Sequence, residues 1–181
     1  MVERPSRIVD AHVHLWDPAL TDWYPYLGGG RDLGMGDVRG MARRFDAPTY
    51  RAEAPGWNVT KVVNVAAATG PYSVDEAIEV DRVATESGDT LLAAVIGGLP
   101  PTDSTAEAVA LVERQMTAPR FRGVRPMTPT GPAVPDDDVL AALAERDLVF
   151  EVLDVYKRQG SWAPAPRASR SSPSWPPRPS R

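Results

Sequence analysis

The sequence predicts an α/β fold built on a parallel sheet. Short β-branched or apolar runs begin near Lys61, Leu91, Phe121 and Leu148, a period of about 30 residues, the size of one strand-plus-helix unit. Each pair of runs is separated by a segment with helical periodicity. The runs lack polar alternation, so they read as strands covered on both faces, as in a parallel sheet. Such regular alternation leaves two architectures open, a doubly wound sheet or a (β/α)8 barrel. No sequence repeat accompanies the period, which argues against a solenoid.

The elements follow in order. Ile8–Leu15 is an apolar run with polar residues at every second position. A long irregular connection runs from Trp16 to Trp57 and holds Gly28-Gly29-Gly30, Gly34 and Gly36. Their spacing does not match a phosphate-binding loop, so they read as a surface loop. Lys61–Val65 is the next strand. The helix after it is expected to open at Ser73-Val-Asp-Glu76 as a capping box, to bury Val74, Ala77, Ile78 and Val83, and to end at Gly88.

Leu91–Ile96 is a strand. Ser104-Thr-Ala-Glu107 repeats the capping pattern before a stripe of Ala108, Val109, Val112 and Met116, and Pro119 stops the helix. Phe121–Arg125 is a strand. Asp136-Asp137-Asp138 places negative charge where a helix N-terminus favours it, ahead of Val139, Leu140, Leu143 and Ala144. Leu148–Leu153 is the last strand.

The chain of 181 residues has no cysteine, which removes disulfides, thiolate metal sites and cysteine nucleophiles. Its charged N-terminus lacks a signal peptide's apolar stretch, and no run is long enough to span a bilayer. A cytoplasmic protein without a membrane partner is expected. The net charge of −4 divides unevenly: residues 1–154 carry −10 and residues 157–181 carry +6. An acidic body argues against a nucleic-acid partner.

The basic segment has its own reading. Gly160–Arg181 contains six Pro, six Ser and four Arg and almost nothing able to build a core, so it is expected to be disordered. Asp154–Gln159 (Asp-Val-Tyr-Lys-Arg-Gln) matches the translation of GAT GTG TAT AAG AGA CAG, a transposon-end adaptor. The expectation is therefore a body over 1–153 and a non-native, out-of-frame segment over 154–181. The competing reading is a native low-complexity tail.

The only two histidines, His12 and His14, stand in Val9-Asp-Ala-His-Val-His-Leu-Trp-Asp-Pro18. Strand alternation puts Ile8, Asp10, His12 and His14 on one face and the apolar Val9, Ala11, Val13 and Leu15 on the helix-facing side. Two imidazoles at i and i+2 can converge on one divalent cation, Zn²⁺ taking nitrogens at about 2.0–2.1 Å. Two ligands rarely suffice, and the chain has no third histidine. The plain alternative is a pair of hydrogen-bonded core residues.

The stretch as a whole resembles the opening of the amidohydrolase-related hydrolases, in the branch of sugar-lactonase and dicarboxylate-lactonase relatives. Tyr24-Pro-Tyr-Leu27, Phe121-Arg-Gly-Val-Arg125 and Leu143-Ala-Glu-Arg-Asp-Leu-Val-Phe150 resemble segments of that branch in the same order, so the likeness covers most of residues 7–153. It implies a (β/α)8 TIM barrel hydrolase, present as an N-terminal part of about five strands. His12 and His14 would line its metal or substrate site at the C-terminal end of the first strand. A divalent metal, Zn²⁺ first, would activate water there, though some lactonase relatives are described as metal-independent.

Arg125 matches the family's arginine after the fourth strand. It would hold a substrate carboxylate or an oxyanion, with a surface ion pair as the plain alternative. Arg122 is out of phase and reads as structural. Trp16, Tyr24 and Tyr26 would line a small-molecule pocket or pin the long loop.

The family's further histidine and late-strand aspartate, its general base, have no match here; Asp154 and Asp136–Asp138 do not replace them. A catalytically incomplete lactonase-like hydrolase is the leading expectation. A decarboxylase of the same superfamily and a non-catalytic binding protein that docks an acidic partner through its basic tail are the alternatives.

Overall fold

A computed structural model of the chain describes residues 5–27, 38–127 and 134–152. The expectations for Gly28–Gly36, for Asp154 and for the segment 154–181 lie outside the described residues. Five strands form one all-parallel sheet: β1 Ile8–Val13, β2 Val59–Val65, β3 Leu92–Leu99, β4 Phe121–Pro126 and β5 Val149–Phe150. Their spatial order is β1-β2-β3-β4-β5. Helix α1 spans Ala47–Glu53, and α2 Tyr72–Glu86, α3 Thr105–Gln115 and α4 Asp137–Glu145 join successive strands.

The sequential order argues against the doubly wound sheet and is compatible with an incomplete barrel. A doubly wound sheet reverses its order midway so that helices cover both faces. Here every crossover advances by one strand in the same direction, so right-handed connections lay all helices on one face. The sheet curls into a half-barrel with its helices outside.

The main core lies between sheet and helices. Val13, Val62, Val95 and Val124 from the strands meet Ala77, Ala108, Val112 and Leu143 from the helices. Each buried Val or Leu stabilises the fold by roughly 1.5–3 kcal/mol through leaving water. Only the central strands are covered on both faces as expected; on β1 and β5, Val9 and Val149 are half exposed.

The first strand corrects the predicted alternation. Asp10 pairs with Val62 and Val13 with Asn64, so β1 carries one residue more than β2 between these points. This bulge re-aims the chain, as an inserted residue does. Asp10 therefore lies on the helix side, where it accepts the Tyr50 hydroxyl of α1 at 2.8 Å. Val9, expected against the helices, is exposed instead.

The helix ends correct two further details. The N-cap of α2 is Pro71, with no side-chain cap. Ser73 Oγ donates to Gly70 O, and Glu76 turns into the interior. In α3, Ser104 does accept from Glu107 N, but Glu107 returns its bond to Asp103 N rather than to Ser104. The stripes keep Val74, Ala77, Ala108 and Val112 inside, but Val83 and Met116 are exposed, while Asp81 and Gln115 are buried.

Helix α1 was not anticipated. Its signal was present in Asp46-Ala-Pro-Thr49, where Asp46 caps Thr49 N and Pro occupies the first turn. No helix among the described residues is long and apolar enough to cross a membrane.

Candidate active site

The C-terminal ends of β1, β2, β4 and β5 bring polar groups together on the inner side of the curl. His14 follows β1 directly, and its Nδ1 lies 2.7 Å from the Val65 carbonyl oxygen at the end of β2. A carbonyl only accepts, so Nδ1 carries the proton and Nε2 of the neutral ring is left as a lone pair. Burial holds the His14 pKa below its usual value, with Arg125 and His12 acting in the same direction and the Val65 bond opposing. The ring therefore stays neutral at pH 7.

His12 stands edge-on to His14, with ring centroids 5.0 Å apart. Its Nδ1 is 3.3 Å from Oε1 of Glu151, the residue after β5. Glu151 was not singled out from the sequence. Nothing in its neighbours marks it, because the contact forms only when the two sheet edges curl toward each other.

Arg125, near the end of β4, is 95 % buried, yet its Nε and Nη1 have no hydrogen-bond partner among the described residues. Burial lowers its pKa, while Glu151, Glu76 and Tyr26 oppose this electrostatically. A buried guanidinium with unused donors is costly unless something anionic or carbonyl-like meets it. Arg122, by contrast, is exposed and donates to the Pro119 and Phe121 carbonyls, a structural role.

Trp16 stacks on His14 at 5.8 Å between centroids with an 8° interplanar angle, and its indole donates to Arg43 O. It forms one wall beside the histidine. Tyr24 is buried and donates its hydroxyl to Glu76 Oε1 at 2.9 Å; Tyr26 is buried and donates to Ala67 O at 2.9 Å. These bonds hold Tyr24 to α2 and Tyr26 to the segment after β2.

Glu76 organises that segment from beneath. Its Oε2 accepts from Ala67 N at 2.8 Å and Ala68 N at 2.9 Å, just after β2. Burial pushes its carboxyl up to about 7, against the lowering effect of the Ala68, Ala67 and Tyr24 hydrogen bonds. Sequence reasoning assigned Glu76 to a cap because a capping box and an inward-facing carboxylate look alike in one dimension.

The fit to a divalent metal is partial. The imidazole nitrogens of His12 and His14 are suitable donors, but no group of three or more candidate ligand side chains occurs among the described residues. In comparisons with known proteins, no family model matches the chain, and neither a curated protein nor a solved structure does.

Proposed function

We propose that this chain is the N-terminal part of a (β/α)8 barrel hydrolase of the amidohydrolase-related type, acting on a lactone or related cyclic ester. The observation that carries the reading is the convergence of Arg125, with its unused donors, and the His12–His14 pair at the C-terminal end of the sheet. Barrel enzymes build their sites at that end. The strictly sequential strand order supports the barrel over a doubly wound sheet.

In this reading Arg125 binds the oxygen on which negative charge develops as the ester carbonyl is attacked, a role that suits a desolvated, fixed donor. His14, neutral and held by Val65 O, offers Nε2 as a lone pair, and Trp16 excludes water from its stacked face. A divalent ion, when bound, would be held by His12 and His14 and would supply a water of lowered pKa.

The test is hydrolysis of γ- and δ-lactones by the full chain, with and without chelator, followed as ring-opened acid, beside an Arg125→Ala variant. Ring opening that falls at least tenfold in the variant supports the reading. Carbon dioxide release from a carboxylated substrate would replace it with the decarboxylase. An inert chain agrees with the missing general base, and binding then decides: a lactone or its ring-opened acid that binds the wild type and loses at least tenfold in affinity in Arg125→Ala supports the reading, and equal binding or none removes it.

A further inference from the structure

Glu151 and His12 come from opposite edges of the sheet, yet the carboxylate faces one particular ring atom, Nδ1, at 3.3 Å. An ionised carboxylate has only acceptor capacity, so it repels a nitrogen lone pair and attracts an N–H. A free neutral imidazole side chain prefers its proton on Nε2. Glu151 opposes that preference at His12, as the Val65 carbonyl does at His14.

No other described side chain competes for the His12 ring nitrogens. Beyond Glu151, His12 meets the edge-on ring of His14 and gives its backbone N–H to Asp10 Oδ1. Metal-binding histidines typically give their other N–H to a carboxylate or a backbone carbonyl, and this mouth holds one of each.

We propose that Glu151 is a positioning residue that fixes His12 as its Nδ1–H tautomer, so that His12 and His14 both present a bare Nε2 to one electrophilic ligand, a divalent cation. The proposal rests on reading the mouth as a ligand site, but it does not depend on which reaction follows. It also assigns the donor work at a substrate carbonyl to Arg125, because two bare nitrogens cannot donate.

The plain competitor is a half-exposed ion pair with no effect on the ring, of the kind that contributes little at protein surfaces. Two-bond ¹⁵N–¹H correlation spectra of the labelled full chain separate the two. With only two histidines the assignment needs one His14→Gln variant, and His14 serves as the internal control for folding. Both rings should show the Nδ1–H pattern in the wild type. In Glu151→Leu, His12 should move to Nε2–H while His14 stays, and Zn²⁺ affinity, read by competition with a chromophoric chelator, should fall about ten- to a hundredfold.

In Glu151→Gln, whose amide oxygen still accepts, the His12 tautomer should persist. A wild-type His12 carrying its proton on Nε2, or one unmoved in Glu151→Leu with His14 intact, overturns the proposal. If Glu151→Leu also loses the His14 signature, Glu151→Gln decides: Nδ1–H retained supports the proposal, and Nε2–H overturns it. Failure of both lactone binding and lactone hydrolysis with the tautomers as expected counts against the hydrolase reading alone. Hydrolysis with the tautomer result reversed counts against Glu151 alone.

Discussion

His12 Nδ1 and Glu151 Oε1 lie 3.3 Å apart although β1 and β5 are the two edges of the sheet. Four interstrand spacings in a flat sheet would separate those edges by about 19 Å. The curl removes that gap, as expected where inward side chains from opposite strands meet near a barrel axis. This one distance ties the topology to the chemistry.

Arg125→Met should separate stability from function. The variant removes a buried guanidinium whose Nε and Nη1 have no partner among the described residues and leaves an apolar side chain of similar length. Urea unfolding should show stability unchanged or raised by up to about 3 kcal/mol. Any lactone ring opening should be lost. A clear loss of stability would instead make Arg125 a structural residue.

Glu76 should make stability depend on pH. Its folded-state pKa is raised from the ordinary 4.5 to about 7. The folded chain therefore holds this proton more tightly, and the resulting stability is present below pH 4.5 and lost as pH rises toward 7. Urea midpoints of wild type and Glu76→Gln at pH 5 and pH 8 should differ more at pH 5, by about 1–3 kcal/mol, since the amide also faces the Ala67 and Ala68 N–H groups. A gap that widens toward pH 8 would contradict this.

Gly123→Ala should loosen the β4–β5 pair. A Cβ there would land on the Val149 carbonyl oxygen, which is backbone and cannot swing aside. The expected cost is about 1–3 kcal/mol in thermal or urea unfolding. Gly40→Ala, where nothing lies within 4 Å of the added carbon, is the neutral control. Equal behaviour of the two would argue against the β5 placement that brings Glu151 to His12.

Asp81 and Arg82 are sequence neighbours with unequal importance. Asp81 is 4 % exposed and its Oδ1 accepts from Arg120 N at 3.1 Å and Arg120 Nη1 at 3.0 Å, tying α2 to the start of β4. Asp81→Ala should cost about 3 kcal/mol by leaving the Arg120 backbone N–H and one Nη1 proton without their acceptor, while Thr85 Oγ1 keeps the other. Arg82 pairs with Glu79 and Glu86 on the solvated face of α2, and Arg82→Ala should leave the unfolding midpoint unchanged within error. Similar losses in both would undermine the packing of α2 described above.

What the sequence determined by itself was local. Strand runs, helical stripes and most helix ends were legible because they depend on neighbours three or four residues away, as Ser104 with Glu107 and Gly88 after α2 illustrate. His12, His14 and Arg125 stood out in the sequence as residue types, whereas their proximity is a property of the fold. Four things were decided only by tertiary structure: the singly wound strand order, the bulge that turns Asp10 to α1, the inward Glu76 and the meeting of Glu151 with His12. Each depends on a partner tens of residues away or on the curl of the sheet, where hydrogen-bond demand and packing override local pattern.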